Sequence, residues 1–168
     1  MNNKFISIEN ALSKEENKIM LDFFTTNKIH TWFDGLFNNF EVDKLPIKKI
    51  LNKVNDYFDL SKMVGVECWS HINTHPDWHI DMDDVHFLKT GEVKLPICSI
   101  VYYAKIQNMI GGSLMVEDEI YVPKTNDIVT FKKGLSHNVE NFTGERIIIA
   151  INPWEYKIDK FKNTKTLI

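Results

Sequence analysis

The segment from Trp78 to Asp84, WHIDMDD, places one histidine and three carboxylates within seven residues. Successive side chains of a β-strand alternate between its two faces, so His79 and Asp81 would point to the same side of a strand and could bind one ion together. The same pair is also common at polar strand ends that simply face water. A metal site therefore requires further ligands elsewhere in the chain.

His137 is the candidate third ligand, 58 residues after His79. Two imidazoles and one carboxylate form the facial triad that binds non-haem Fe(II) and leaves coordination positions open for chemistry. A second H-x-D sequence at residues 75–77 offers an alternative pair on the same alternating face. We prefer His79 and Asp81, because Pro76 would disrupt strand pairing at that point.

Arg146 is the single arginine among 20 basic residues, and it opens the apolar segment RIIIAINPW. On a strand it would share a face with Ile148, so its guanidinium would be at least partly buried. A buried charge without a partner costs several kcal/mol, and Arg146 therefore needs an anion. Glu140, Glu145 or Asp127 could form a structural ion pair. A planar guanidinium also suits a ligand carboxylate held by two parallel hydrogen bonds.

The order of these motifs resembles the Fe(II)/2-oxoglutarate-dependent dioxygenases, and within them the prolyl-4-hydroxylase-like branch that includes small stand-alone bacterial and phage-type members. The resemblance covers about half of the chain, from Cys68 to Trp154. It rests on the segments HID, ICSIVYYAKI, GGSL, SHNVE and GERIIIAINPW in that order. The resemblance implies that His79, Asp81 and His137 bind Fe(II).

The resemblance also implies that Arg146 and Tyr103 bind the co-substrate 2-oxoglutarate, with Arg146 on its distal carboxylate, and that O2 is the second co-substrate. The family often has a polar residue two positions after this arginine. Because Ile148 stands there in this chain, Tyr103 is expected to carry more of that contact. Family members that halogenate have a small residue in place of Asp81, so the aspartate predicts hydroxylation, although desaturation or demethylation would use the same ligands.

A peptide or a small molecule is the substrate that the resemblance implies. A prolyl residue in a peptide is favoured, with a free amino acid or another small metabolite as alternatives. The segment from Asp83 to Pro96 follows the first two candidate ligands and lacks clear strand character. In this family such a loop often covers the substrate, so the resemblance predicts a mobile lid here.

The fold is predicted to be mainly β with N-terminal helices, a double-stranded β-helix of the jelly-roll or cupin type. Ser13 and Glu16 form a capping box for a helix to about Asn27, and Pro46 suits the first turn of a second helix. From Met63 onward the chain reads as about eight short strands without intervening helices. The strand segments are MVGVECWS, DWHID, ICSIVYYAKI, GSLMVE, EIYV, DIVTF, HNVE and RIIIAINPW.

The chain of 168 residues is expected to form a single domain, with residues 1–62 as a helical support and residues 63–156 as the β core. A net charge of −3 argues against a general nucleic-acid binder. No apolar run approaches the roughly 20 residues that would span a membrane, and the first residues do not resemble a signal peptide, so we expect a cytoplasmic protein. Cys68 and Cys98 are expected to be buried, reduced thiols.

Two other function classes remain open at the level of sequence. A cupin-like metalloenzyme would not need 2-oxoglutarate, and Arg146 would then be structural. A non-catalytic β-sandwich that binds a partner would leave His79 and Asp81 as ordinary surface residues. A base-repair dioxygenase would need a basic groove, for which only Lys132 and Lys133 cluster. The sequence leaves the oligomeric state open.

Overall fold

The computed structural model describes residues 3–27, 29–42 and 44–162. Within these ranges the strands form a six-stranded antiparallel sheet, in the order β1-β7-β4-β9-β3-β2, and a three-stranded antiparallel sheet, in the order β6-β5-β8. The elements are β1 (Phe5–Ile8), α1 (Lys14–Asn27), β2 (His30–Asp34), α2 (Ile47–Asn55), β3 (Gly65–Ile72), α3 (Asp84–Thr90), β4 (Cys98–Gly111), β5 (Leu114–Val116), β6 (Glu119–Tyr121), β7 (Ile128–Lys132), β8 (His137–Val139) and β9 (Phe142–Trp154).

The two helices predicted in the N-terminal part are confirmed. The backbone N–H of Ser13 donates to the Glu16 carboxylate at 2.9 Å, and the N–H of Glu16 donates to the Ser13 hydroxyl at 3.2 Å, so the capping box starts α1. Helix α2 begins directly after Pro46 and buries its apolar side. The N-terminal part is not purely helical, because β1 and β2 join opposite edges of the six-stranded sheet.

Most of the predicted strands are present, but two expectations about this region are wrong. The segment DWHID does not form a strand and contributes a single β-bridge at His79. The strands are also interrupted by α3, which an aspartate and a glycine delimit. The Asp83 carboxylate accepts the His86 N–H at 3.1 Å, and Gly91 ends the helix in the left-handed region at φ 75°. The predicted mobile lid therefore contains a capped helix, and its mobility stays a prediction.

The six-stranded sheet has two buried faces. One face packs against α1 and α2, and we call it the helix face. The other packs against the three-stranded sheet, and we call it the cleft face. Fully burying one isoleucine or leucine contributes about 1.5 to 3 kcal/mol, so both faces stabilise the fold substantially.

Two facing antiparallel sheets with helices on one outer side confirm the predicted fold class, a mainly β jelly roll with N-terminal helices. Cys68 and Cys98 are free and buried on the helix face. Burial raises the pKa of Cys98 to about 12, which disfavours a reactive thiolate. No helix in the described ranges has both the length and the apolar character needed to cross a bilayer.

Candidate metal centre and co-substrate pocket

His79 and His137 are brought together by backbone pairing between the loop after β3 and the start of β8. Each residue donates its N–H to the carbonyl of the other, at 3.0 and 2.9 Å, in an antiparallel bridge. Their imidazole centroids consequently lie 4.2 Å apart, although the residues are distant in sequence. The pairing thus delivers two potential nitrogen ligands to one point.

Both imidazoles are oriented by the same local hydrogen bond. The Nδ1–H of His79 donates to the carbonyl of Asp77 at 2.7 Å, and the Nδ1–H of His137 donates to the carbonyl of Leu135 at 3.2 Å. Each ring is thereby held in the tautomer whose Nε2 carries a free lone pair, which is the form that binds a metal. Burial lowers the pKa of His137, so its neutral form is favoured further.

Asp81 completes the cluster. Its Oδ1 lies 4.0 Å from Nε2 of His79 and 3.9 Å from Nε2 of His137. Two donors on one first-row ion at about 2.2 Å can be separated by up to about 4.4 Å, so these spacings fit a shared ion. Within the described part of the chain, this is the only group of three or more metal-ligating side chains whose ligand atoms lie within 4.8 Å of one another.

The second H-x-D sequence does not contribute to the cluster. His75 and Asp77 are exposed, and Asp77 contributes only its backbone carbonyl to the orientation of His79. Pro76 does not prevent pairing here, because its carbonyl accepts the N–H of Val139 at 3.2 Å and no donor is required from it. The structure thus brings together the preferred pair and leaves the alternative pair outside.

Arg146 is buried on the cleft face, at 1% exposure. Its Nε and Nη1 have no hydrogen-bond partner, and no carboxylate forms an ion pair with it, within residues 3–27, 29–42 and 44–162. Glu145 pairs instead with Lys105 at 2.7 Å, and Asp127 accepts the Tyr121 hydroxyl at 2.5 Å. Burial lowers the pKa of Arg146, as expected for a desolvated cation without a counter-ion.

Tyr103 lies beside this guanidinium, which sits over the Tyr103 ring at 5.5 Å from its centroid. The hydroxyl is fully buried and has no partner at regular hydrogen-bond geometry among the described residues, and the polar group that interacts with it is the adjacent Arg146 guanidinium. Burial raises the pKa of Tyr103 to about 12, and the nearby charge of Arg146 only partly opposes that rise. A neutral phenol and a guanidinium therefore present unused donors side by side, which is an arrangement suited to a carboxylate ligand.

A cleft joins the three-residue cluster to Arg146. Its walls include Trp69, His71, Leu114, Val139, Ile148 and Ala150. Trp78 and Phe87 are exposed and Tyr102 belongs to the helix face, so none of these three aromatic side chains is a cleft wall.

Two polar residues of this region were missed at the level of sequence. His71 accepts the Trp69 indole N–H on its Nε2 at 3.0 Å, and its Nδ1 contacts the Thr74 hydroxyl at 3.0 Å. Ser99 donates its hydroxyl to Oδ2 of Asp81 at 2.5 Å. Neither residue stands in a recognisable motif. Ser99 precedes Tyr103 by four residues, so strand alternation places both side chains on the same face, and this was the one sequence feature that pointed to Ser99.

Known structures share this architecture. A prolyl-4-hydroxylase from Pseudomonas putida superposes with a TM-score of 0.65 at 16% identity, covering 91% of this chain and 86% of that one. The viral collagen prolyl hydroxylase vCPH from Paramecium Bursaria Chlorella virus-1, in its 2-oxoglutarate complex, gives 0.60 at 17% identity, covering 90% and 96%. The chain has the fold of the prolyl 4-hydroxylases.

A third structure extends the same similarity. A prolyl hydroxylase from Trichoplax adhaerens, in complex with a peptide fragment of the hypoxia inducible factor oxygen degradation domain, gives a TM-score of 0.54 at 16% identity, covering 97% of this chain and 89% of that one. No protein-family model and no curated protein matches the chain. The resemblance seen in the motifs is thus confirmed at the level of the prolyl 4-hydroxylase fold.

Proposed function

We propose that the chain is an Fe(II)- and 2-oxoglutarate-dependent dioxygenase that hydroxylates an unactivated C–H bond. One observation carries the proposal above all. A buried arginine with no counter-ion among the described residues lies in the same cleft as two histidines and an aspartate whose ligand atoms converge. The motif order and the prolyl 4-hydroxylase fold support the same assignment.

The donor set fits iron. His79, Asp81 and His137 offer two imidazole nitrogens and one carboxylate oxygen, which is the facial arrangement used by non-haem Fe(II) oxygenases. Iron bound there together with 2-oxoglutarate would supply the activation of O2, coupled to decarboxylation of the 2-oxoglutarate, and the oxidation of the substrate. An aspartate at position 81 favours hydroxylation over halogenation, because it occupies the position that a halide would need.

The other end of the cleft fits the distal carboxylate of 2-oxoglutarate. Arg146 would bind this carboxylate in the bidentate manner, and Tyr103 would donate its hydroxyl to it. This ligand would supply the counter-ion that the described residues do not provide. The apolar cleft residues Ile148 and Ala150 would exclude water between the two ends, which strengthens the charge-assisted hydrogen bonds.

The primary substrate is proposed to be a prolyl residue in a peptide, with a free amino acid or a small metabolite as the second candidates. A peptide is bound by the Trichoplax adhaerens relative in fold, which supports this class without identifying a sequence. With a formal net charge of −3 the chain has no general excess of positive charge, so a nucleic-acid substrate is not proposed. The cytoplasmic location and the single-domain organisation remain proposals from the sequence.

The two alternative classes are less consistent with the cleft. A cupin-like enzyme that does not use 2-oxoglutarate would leave the buried charge of Arg146 without a function or a partner. A non-catalytic binding module would not require both imidazoles to expose Nε2 toward the same aspartate.

Anaerobic titration of the metal-free protein with Fe(II) and then 2-oxoglutarate tests the proposal. A weak visible charge-transfer band should develop only when both are present. Subsequent admission of O2 should form succinate even without a primary substrate, in slow uncoupled turnover. Fe(II) binding without any response to 2-oxoglutarate would favour the cupin-like class, and a protein that binds no metal would favour the binding module.

A further inference from the structure

The two oxygens of the Asp81 carboxylate are in different environments. Oδ1 faces Nε2 of both His79 and His137, at 4.0 and 3.9 Å. Oδ2 accepts the hydroxyl proton of Ser99 at 2.5 Å. One oxygen is thus directed at the candidate ion position, while the other is engaged by a neutral donor.

Ser99 is itself rigidly held. It lies within β4, is 2% exposed, and pairs in register with Phe131 of β7. Its carbonyl also accepts the hydroxyl of Thr130 at 3.0 Å. A hydroxyl on a buried residue whose backbone is paired with β7 has little freedom to follow the carboxylate. The hydrogen bond therefore fixes the rotation of the Asp81 carboxylate rather than adapting to it.

The consequence concerns the number of open positions on the ion. A carboxylate can bind a metal through one or both of its oxygens. With two imidazoles and one carboxylate oxygen bound, positions remain for a chelating co-substrate and for O2. If both oxygens were bound, one of those positions would be lost.

We propose that Ser99 is a positioning residue that holds Asp81 to the metal through Oδ1 alone and so keeps a coordination position open. The inference rests on the proposed function in one respect, because the open coordination position matters only if 2-oxoglutarate and O2 bind there. How Asp81 binds the ion can be measured without either co-substrate. Strand β4 then has a role at both ends of the cleft, since Tyr103 lies beside Arg146 and Ser99 beside Asp81 on the same strand face.

The test compares Ser99→Ala and Ser99→Thr with Ser70→Ala as the matched control. The Ser70 hydroxyl donates to the carbonyl of Phe24 at 3.1 Å, away from the cleft, so its loss removes one comparable hydrogen bond elsewhere. For each protein we would record the visible spectrum and affinity of bound Co(II), the anaerobic dissociation constant of 2-oxoglutarate with Fe(II), and the melting temperature. The Co(II) spectrum reports the coordination number without any co-substrate.

Ser99→Ala should keep Co(II) affinity within a few fold, change the Co(II) spectrum, and weaken 2-oxoglutarate binding by about tenfold, because the second carboxylate oxygen must be displaced first. Ser99→Thr should restore both readouts, and Ser70→Ala should change neither. If Ser99→Ala does not fold, Ser99→Cys provides a weaker donor and should shift both readouts less far in the same direction.

An unchanged Co(II) spectrum in Ser99→Ala, or in Ser99→Cys where the alanine variant does not fold, would overturn the proposal. A loss of Co(II) affinity in proportion to a lowered melting temperature, with the wild-type spectrum, would likewise show a structural role only. If the wild-type protein itself does not bind 2-oxoglutarate, the proposed function fails, whereas the Co(II) comparison still decides the role of Ser99.

Discussion

The helix face and the cleft face of the six-stranded sheet differ in how their polar atoms are satisfied. Tyr102 and Tyr103 are neighbours on β4, and both are fully buried on opposite faces. The Tyr102 hydroxyl is 2.6 Å from Oδ1 of Asn17 and 2.9 Å from Oδ1 of Asn126. The Tyr103 hydroxyl has no regular hydrogen bond to any described residue.

Strand β9 shows the same difference between the two faces. Ile147, Ile149 and Ile151 pack on the helix face, whereas Ile148 and Ala150 share the cleft face with the unpaired Arg146. An unpaired polar group in a protein interior destabilises the fold. The unpaired side-chain donors of Arg146 and Tyr103 on the cleft face, with none among the described residues of the helix face, therefore indicate a ligand site. The helix face is therefore arranged for stability and the cleft face for binding.

The largest expected effect concerns the three candidate ligands. His137→Ala should reduce Co(II) or Fe(II) affinity by more than about a hundredfold, because it removes one of the three side chains whose ligand atoms converge. His75→Ala, in the second H-x-D sequence, is the matched control and should leave the affinity unchanged. Isothermal titration of both variants is the measurement, and equal affinities would contradict the assignment of the metal centre.

Arg146 should give the next largest effect. Arg146→Lys keeps the charge but loses the bidentate geometry, and we expect about tenfold to a hundredfold weaker 2-oxoglutarate binding, with a further loss in Arg146→Met. Removal of an unpaired buried charge should not lower the melting temperature of the ligand-free protein. Lys105→Met, which removes a cation that is already paired with Glu145, is the control and should leave 2-oxoglutarate binding unaffected.

A structural role for Arg146 would give the opposite pattern. Both Arg146 variants would then melt at lower temperature while the folded protein kept its 2-oxoglutarate dissociation constant. Measuring both quantities on the same samples separates the two cases.

The adjacent tyrosines allow the two faces to be compared with one chemical change. Tyr103→Phe should weaken 2-oxoglutarate binding by about three- to tenfold with little loss of stability, since its hydroxyl has no regular hydrogen bond to any described residue. Tyr102→Phe should lower the free energy of unfolding by about 1 kcal/mol and leave 2-oxoglutarate binding unchanged. Chemical denaturation and anaerobic titration check both expectations, and the reverse assignment of effects would remove the distinction between the faces.

The smallest expected effect is a pH dependence that arises from the cleft face. Burial and, to a lesser extent, the nearby Arg146 charge lower the pKa of His71 to about 4. An unfolded histidine has a pKa of about 6.5, so the unfolded state binds the extra proton as the pH falls below that value. Protonation of His71 therefore leaves the free energy of unfolding unchanged above about pH 6.5 and lowers it progressively as the pH falls toward 4.

Between pH 7 and 5.5 the loss should be about 1 kcal/mol in the metal-free protein. His71→Gln should remove this part of the slope, because glutamine does not titrate. Urea denaturation at the two pH values is the measurement. Parallel pH profiles for the wild type and the variant would show that His71 is not held neutral.

Local patterns in the sequence determined a large part of this protein. The capping box of Ser13 and Glu16 set the start of α1, and the alternation of RIIIAINPW placed Arg146 on the same face as Ile148. Both results depend on residues that are close in sequence, where backbone geometry allows few alternatives. The same is true of His79 and Asp81, whose spacing marked them as a pair.

Tertiary structure alone decided which of these residues meet and which polar groups stay unpaired. The backbone bridge between His79 and His137 selects one H-x-D sequence over the other. Only the structure shows that Arg146 has no ion-pair partner among the described residues, because Glu145 and Asp127 contact other side chains. The strand pattern placed Ser99 on the same face as Tyr103, but its hydrogen bond to Asp81 joins separate segments of the chain and was not predictable from that position. Contacts of this kind are fixed by long-range strand pairing, for which a local pattern carries little information.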